Sequence, residues 1–237
     1  MKIVTVTLCC LVLITASWGQ RASIQSDILG TETTYFIFRM GHYSLAKNII
    51  YFTDGGKLHD NKYRDSLTVL HQKGSIPPGY YVFVSTIDNR TQAEMRNDYF
   101  FCNPRYIAFF EKELLPEVEG TIGKKFTPDK RLLVGISFGG LNAAWFSAKS
   151  EAFKNFALLS PITYPCPSIT EAIVFSSFTQ RRIFISTGIN DAENYVPSLE
   201  KIYHTKGWEL QTLDTDGGHD HFNWIRQLAI FLTYFFP

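Results

Sequence analysis

The sequence contains few cysteines, which limits what disulfide bonds can contribute to its stability. Four cysteines occur in 237 residues, and Cys9 and Cys10 lie in an apolar segment at the start of the chain. Cys102 and Cys166 are the other two. Two cysteines are too few to stabilise a fold of this length by cross-links, so a hydrophobic core must do so. In an oxidising compartment we expect this pair to form one disulfide.

An excess of charge of one sign is also lacking. Lysine and arginine together number 23 against 22 aspartates and glutamates, so the formal net charge is +1. Long runs of one charge do not occur, and this balance does not indicate binding to nucleic acid or to a charged membrane surface. The sequence shows no internal repeat, low-complexity tract or linker rich in glycine, serine and proline. We therefore expect one globular domain.

The first residues have the pattern of a signal peptide. Lys2 supplies a positive charge, residues 3–16 are almost entirely apolar or small, and the residues up to Gly19 suit cleavage after that position. The apolar run is short for a membrane span, although an uncleaved N-terminal anchor is the alternative. We predict a signal peptide at 1–19, a single domain at 20–237, no stable membrane span after cleavage, and a periplasmic or secreted location.

Short apolar runs alternate with helix-like segments along the rest of the chain. The predicted strands are Thr34–Phe38, Asn48–Phe52, Tyr80–Thr86, Arg131–Ile136, Phe156–Ser160, Arg182–Thr187 and Glu209–Leu213. The predicted helices are Leu58–Gln72, Tyr106–Ile122, Leu141–Ser150, Ser168–Phe178, Val196–Thr205 and Phe222–Phe235. This alternation predicts a doubly wound α/β fold, with a mostly parallel sheet and helices on both faces. Because no helix separates the first two strands, we expect them to pair antiparallel at one edge.

A glycine-rich turn directly follows one of the predicted strands. Strand 131–136 runs into Gly135-Ile136-Ser137-Phe138-Gly139-Gly140, and a predicted helix begins just after. The glycines permit a sharp turn that leaves the serine at the carboxyl edge of the sheet, near a helix N-terminus that favours negative charge. The pattern Gly-x-Ser-x-Gly in this context predicts Ser137 as a nucleophile. A plain glycine-rich turn is the alternative.

Two histidines in the last predicted loop are candidates for the base that a serine nucleophile needs. Gly217-Gly218-His219-Asp220-His221 follows the last predicted strand and precedes the last predicted helix. His219 follows two glycines that can shape a loop, whereas His221 falls in or near the first helical turn. We predict His219 as the general base and His221 as the weaker candidate. One His–Asp–His triplet without further spaced ligands is a poor metal site.

The acid of the triad is expected in the turn after the preceding strand. Asp191 lies in that turn, where it would accept the imidazole N–H and stabilise the imidazolium. Glu193 is its rival, and Asp214 and Asp216 are more distant choices. A turn aspartate that only caps the backbone is the structural alternative.

An oxyanion hole needs two backbone N–H groups. Phe138, directly after the nucleophile, would supply one of them. The other is expected from the loop after an earlier strand, and we predict Gly56 in the segment Tyr51–Lys57. An ordinary strand-to-helix turn with Asp54 as a helix cap is an equal alternative.

Six short segments of the chain resemble, in the same order, the motifs of one known family. They are Tyr51–Gly56, Ile87–Asn89 with Arg96 and Tyr99, Glu113–Pro116, Gly135–Gly140, Ser160-Pro161 and Gly218–Asp220. Together they resemble the esterase family of α/β-hydrolases that includes enterochelin esterases, feruloyl esterases, S-formylglutathione hydrolases and mycolyltransferases. The resemblance implies the α/β-hydrolase fold, a triad of Ser137, Asp191 and His219, and an oxyanion hole near Gly56 and at Phe138. Thr53 and His221 depart from the family's usual residues, which leaves the substrate class open.

The expected function is hydrolysis of a small-molecule carboxylic ester through an acyl-enzyme, without a metal, an organic cofactor or a nucleic-acid partner. Acyl transfer to a sugar or lipid hydroxyl is the enzymatic alternative. A non-catalytic binding protein that keeps the fold is the alternative from another class. Phe100, Phe101 and Tyr164 are candidates for the pocket wall. Because Cys102 and Cys166 follow the carboxyl ends of strands, we expect their disulfide near the rim of the site.

Overall fold

The computed structural model describes residues 18–191 and 194–237, and these residues contain one eight-stranded sheet. Its strands are β1 (Trp18–Gln25), β2 (Glu32–Met40), β3 (Asn48–Phe52), β4 (Gly79–Asp88), β5 (Arg131–Ile136), β6 (Asn155–Leu159), β7 (Arg182–Gly188) and β8 (Glu209–Thr215). They lie in the order β1-β2-β4-β3-β5-β6-β7-β8. β1 and β2 run antiparallel to their neighbours, and the remaining strands are parallel to one another.

The predicted antiparallel pairing of the first two predicted strands is wrong. β2 pairs with β4, and β3 pairs in parallel with β4 on one side and β5 on the other. β4 therefore lies between β2 and β3, although it follows both in the chain. Its residues 79–86 are all buried, as expected for a strand covered on both faces. The helix-free link between β2 and β3 spans this inserted strand, and loop composition does not reveal such an insertion.

β1 is a strand that the sequence analysis does not predict. It pairs antiparallel with β2 from Trp18 opposite Arg39 to Gln25 opposite Glu32. Its exposed positions carry polar residues or glycine, because it forms the edge of the sheet, and its apolar content is too low for recognition from composition. Residues 1–17 of the predicted signal peptide lie outside the described residues, and Trp18 and Gly19 begin β1.

The helices follow the predicted alternation with several differences in extent. They are α1 (Gly55–Asp60), α2 (Tyr63–Gln72), α3 (Arg96–Phe100), α4 (Pro104–Phe109), α5 (Leu115–Ile122), α6 (Phe138–Lys149), α7 (Ile169–Val174), α8 (Val196–Lys206), α9 (His221–Arg226) and α10 (Leu228–Phe235). The predicted helix 58–72 is divided into α1 and α2 at Lys62, whose φ is +64°. α3 is not predicted from the sequence, because it is only five residues long.

The helix predicted over Tyr106–Ile122 accommodates an internal proline. α4 leads into a π-helical turn at Phe110–Leu114, and α5 follows directly. Pro116 lies in the first turn of α5, after the wider turn. A proline removes one backbone hydrogen bond from a helix interior but is tolerated in the first turn, which is where Pro116 lies in α5.

Two apolar layers cover the sheet and leave its carboxyl edge for the loops. Alternate residues of β3 face opposite layers: Ile49 and Tyr51 belong to the layer with α3 to α8, whereas Ile50 and Phe52 belong to the layer with α1, α2, α9 and α10. No helix in the described part of the chain is long and apolar enough to cross a membrane.

Candidate active site

Ser137 occupies a sharp turn between β5 and α6. Its backbone has φ +59° and ψ −120°, a conformation that costs free energy for a residue with a side chain. Hydrogen bonds on both sides hold it: the Ser137 N–H donates to the carbonyl of Leu159 at 2.9 Å, and the Ser137 carbonyl accepts from the N–H of Ile162 at 3.2 Å. The turn is therefore fixed by the neighbouring strand β6 as well as by its own sequence.

The glycines of this turn are required by close packing. A Cβ atom on Gly135 would lie 1.8 Å from the carbonyl oxygen of Gly139, and one on Gly140 would lie 2.8 Å from the Cα of Pro161. A side chain at Gly135 would force β5 and α6 apart, and one at Gly140 would force α6 away from the segment after β6. The pattern that predicts Ser137 as a nucleophile therefore matches a sterically demanding strand–turn–helix.

Asp191 and His219 lie together at the same edge of the sheet, after β7 and β8. His219 Nδ1 is 3.5 Å from Asp191 Oδ1, and the Asp191 side chain is only 1% exposed against 34% for His219. The other carboxylate oxygen, Oδ2, accepts hydrogen bonds from the Thr187 hydroxyl and the Gly188 N–H, each at 3.1 Å. Asp191 is thus oriented so that its remaining oxygen faces the imidazole. Its predicted rival Glu193 lies outside the described residues, and Asp214 belongs to the exposed edge strand β8.

The loop that carries His219 is held by residues of α9. Asp220 caps this helix by accepting the Asn223 N–H at 2.9 Å, and the Asn223 amide donates to the Gly218 carbonyl at 3.0 Å. The Trp224 ring lies edge-on to His219 with centroids 4.9 Å apart, and its N–H donates to the Ser160 hydroxyl at 2.9 Å. Trp224 and Thr187 are missed by the sequence analysis, since no motif spacing relates them to the triad.

His221 has a different set of neighbours. Its Nδ1 lies 3.2 Å from the Tyr63 hydroxyl on α2, and its ring lies edge-on to the Trp224 ring with centroids 5.2 Å apart. Burial lowers the pKa of His221, while the carboxylates of Asp54 and Asp220 act in the opposite direction. These contacts hold the ring between α2 and α9, whereas His219 contacts the buried Asp191.

The segment expected to supply the second oxyanion donor contains a buried ion pair. Asp54 precedes α1 with φ +65°, and its side chain does not cap the helix. Its Oδ2 accepts instead from Arg96 at the start of α3. Gly56 follows in the first turn of α1, where backbone N–H groups lack partners within the helix. The alternative of Asp54 as an ordinary side-chain cap is therefore wrong.

Aromatic side chains surround Phe138 beside the serine. Phe101 and Tyr164 make edge-on contacts with its ring, with centroids 5.1 and 6.0 Å away, and Tyr164 is 62% exposed. Phe100 is fully buried and belongs to the core, so it does not line a pocket. The expected disulfide between Cys102 and Cys166 is present, with the Cα atoms 6.0 Å apart, and it connects the segments that carry Phe101 and Tyr164.

An eight-stranded sheet in this order, with a serine at a strand–helix turn and the loops of β7 and β8 beside it, is the α/β-hydrolase fold. Within this class the chain matches the esterase family described as "Putative esterase" over residues 26–232. The chain belongs to that family.

Comparisons with individual proteins agree with this assignment. A stretch of 80 residues is 31% identical to the iron(III) enterobactin esterase of Escherichia coli and covers 34% of this chain but 19% of that enzyme. A ferulic acid esterase structure superimposes with a TM-score of 0.75 at 17% identity, covering 92% of this chain and 98% of the other. The enterobactin esterase of Shigella flexneri, determined with enterobactin, gives a TM-score of 0.78 at 21% identity, covering 94% and 60%. The structural likenesses show the fold, and the chain spans less than two thirds of both enterobactin esterases.

Proposed function

We propose that this protein is an exported serine esterase that hydrolyses a small-molecule carboxylic ester through an acyl-enzyme. The observation that carries the proposal is the contact between His219 Nδ1 and Asp191 Oδ1, 3.5 Å apart, at the sheet edge that also bears Ser137. Among the described residues, Asp191 Oδ1 is buried without a hydrogen-bond partner. A carboxylate oxygen of this kind is suited to accept the imidazole Nδ1–H and to stabilise the imidazolium that forms when His219 takes a proton at Nε2.

In the first step, Ser137 Oγ attacks the ester carbonyl carbon while His219 Nε2 accepts the hydroxyl proton. Negative charge on the carbonyl oxygen is bound by the backbone N–H groups of Phe138 and Gly56. The bond to the alcohol oxygen then breaks, the imidazolium of His219 donates its proton to the leaving alcohol, and the acyl group remains on Ser137. Asp191 stabilises the imidazolium throughout this step.

In the second step, water attacks the acyl-enzyme. His219 accepts a proton from this water, the same two N–H groups bind the oxyanion, and the proton returns to Ser137 as the acid leaves. In total, the two steps convert one ester and one water into an alcohol and a carboxylic acid, and they regenerate Ser137 and His219. The names of the similar proteins, a ferulic acid esterase and enterobactin esterases, favour an organic ester of small-molecule size as the substrate.

Export is the second part of the proposal. The apolar leader with Lys2 and the cleavage region near Gly19 support it, and the Cys102–Cys166 disulfide is of a kind that persists in oxidising compartments. Expression of the full chain followed by N-terminal sequencing of the exported product is the test. A product that begins at Gln20 supports the proposal, and a full-length chain retained inside the cell contradicts it.

The catalytic part is tested with a serine-directed phosphonate and a short-chain chromogenic ester. We expect one equivalent of label at Ser137 and none elsewhere. His219→Ala should largely abolish both labelling and turnover, whereas the matched control His221→Ala should retain most of the labelling. Addition of alcohol acceptors during turnover separates hydrolysis from acyl transfer. A wild-type protein that neither hydrolyses esters nor reacts with the phosphonate would be a binding protein that keeps this fold.

A further inference from the structure

Arg96 contacts both segments that would form the oxyanion hole. Its guanidinium pairs with Asp54, which lies two residues before Gly56. It also donates to the carbonyl of Ile136 at 3.3 Å, one residue before Ser137, and lies 5.2 Å from the centroid of the Phe138 ring, one residue after it. One planar cation therefore connects the loop after β3 with the turn after β5.

Both members of this ion pair are largely buried. The Arg96 side chain is 14% exposed and that of Asp54 is 6% exposed. Burial raises the pKa of Asp54, and the neighbouring Arg96 opposes that rise. Asp54 Oδ1 has no hydrogen-bond partner among the described residues, so Arg96 is the main group that stabilises this carboxylate.

The backbone at both ends of this contact is also unusual. Asp54 and Ser137 have φ values of +65° and +59°, and each lies directly before a segment with a proposed oxyanion donor. A backbone held in such a conformation requires support from surrounding contacts. A fork-shaped guanidinium can bind a carboxylate and a carbonyl at once, which an ammonium group cannot do with the same geometry.

The geometry points to Arg96 as a positioning residue: its bonds to Asp54 and Ile136 hold the backbone N–H groups of Gly56 and Phe138 at the spacing that binds the oxyanion. This inference rests on the proposed function. It predicts a change in the chemical step rather than in substrate binding, because the oxyanion forms only during reaction.

Arg96→Lys is the variant that tests this role, because it keeps the charge beside Asp54 but loses the fork. We expect kcat to fall about 10- to 100-fold, less than the roughly 10²- to 10³-fold for loss of an oxyanion donor, because the two N–H groups are displaced and not removed. KM should change less than about twofold. The rate of phosphonate labelling at Ser137 should fall in parallel. In Arg96→Ala, added guanidinium should restore part of kcat, which a purely structural defect would not show.

The chain offers a matched control at the opposite end of β5. Arg131 donates to Glu119 Oε1 and, at 3.1 Å, to the carbonyl of Ala152, and the two side chains are 13% and 9% exposed. Arg131→Lys should therefore cost similar stability and leave kcat within about twofold. Unchanged kcat in Arg96→Lys, or an equal loss in both variants, overturns the inference while the esterase stands. Absence of labelling and turnover in the wild type overturns the proposed function and this inference with it.

Discussion

The two ends of the central parallel strands are built in different ways. Within two residues of the carboxyl ends of β3, β5 and β6, the chain contains non-glycine residues with positive φ: Asp54, Ser137 and Ser160, at +65°, +59° and +46°. Such conformations are uncommon for residues with a side chain and cost free energy. They occur on three strands that are neighbours in the sheet, and Trp224 joins the third to the His219 loop through Ser160.

At the amino ends of the same strands, side chains satisfy backbone carbonyls instead. Buried Arg181 donates to the carbonyls of Ser147, Ser150 and Phe153, between the end of α6 and the start of β6. The Asn155 amide donates to the carbonyls of Asp129 and Arg131. The positive charge of Arg181 near the C-terminus of α6 also interacts favourably with the negative end of the helix dipole.

The two ends of the same strands therefore have different roles. At the amino edge, side chains donate hydrogen bonds to backbone carbonyls and so contribute to stability. At the carboxyl edge, strained backbone lies beside the polar groups proposed for catalysis. Substitutions at the carboxyl edge should therefore change activity more than stability, and substitutions at the amino edge should do the reverse.

Ser137→Ala should have the largest effect on activity. Ester turnover is expected to fall by about 10⁵-fold, because no acyl-enzyme can form, while the melting temperature changes little since only a hydroxyl is removed. Steady-state kinetics with a chromogenic ester and thermal unfolding are the two measurements. Wild-type turnover in this variant would contradict the assignment of the nucleophile.

Asp191→Asn should have the next largest effect. The carboxamide cannot stabilise the imidazolium and favours the wrong tautomer of His219, so kcat should fall by about 10³- to 10⁴-fold with the fold retained. Glu193→Gln is the matched control and should change kcat less than about threefold. If the two variants exchange these results, Glu193 is the acid.

Arg181→Met, at the amino edge, should lower stability and leave activity nearly unchanged. The methionine keeps apolar contact with the Phe178 ring, which lies 3.8 Å from the guanidinium carbon, but leaves three buried carbonyls without their donor. We expect the free energy of unfolding to fall by about 2 kcal/mol. Urea unfolding measures this loss, and kcat should stay within about twofold. A selective loss of kcat with unchanged stability would break the contrast between the two edges.

The smallest expected effect is the contribution of His221 to the pH dependence of stability. Burial lowers its pKa, so below its ordinary value of about 6.5 the unfolded chain takes up a proton that the folded protein resists. The free energy of unfolding should therefore decrease as pH falls below that value. Tyr63, Asp54, Asp220 and Lys57 are the neighbouring groups, and the phenol of Tyr63 stays protonated because burial raises its pKa.

His221→Gln removes this proton uptake, and its stability should depend less on pH between about 7 and 5 than that of the wild type. Urea unfolding at several pH values compares the two. Parallel pH profiles would show that His221 is not held in its neutral form by the fold.

Local patterns in the sequence predicted most of the strands and the elements of the site. Strands β3 and β5 were predicted with their observed bounds, because buried parallel strands are continuous apolar runs. The turn at Gly135–Gly140 was predictable because its glycines are dictated by contacts between adjacent segments. The pairing of β2 with β3 was predicted wrongly, since strand order depends on contacts between distant segments rather than on the residues between them.

The glycine-rich turn at Ser137, the chain order of the candidate triad and the cysteine pair can all be predicted from the sequence, because each depends on residue type at short spacing or on the small number of cysteines. The insertion of β4, the edge strand β1, and the contacts of Arg96 and Trp224 become visible only in the tertiary structure. The contacts of Arg96 with Asp54 and of Trp224 with Ser160 join segments more than 40 residues apart in the chain. These contacts depend on how the helices and loops pack around the whole sheet, so no local pattern in the sequence predicts them.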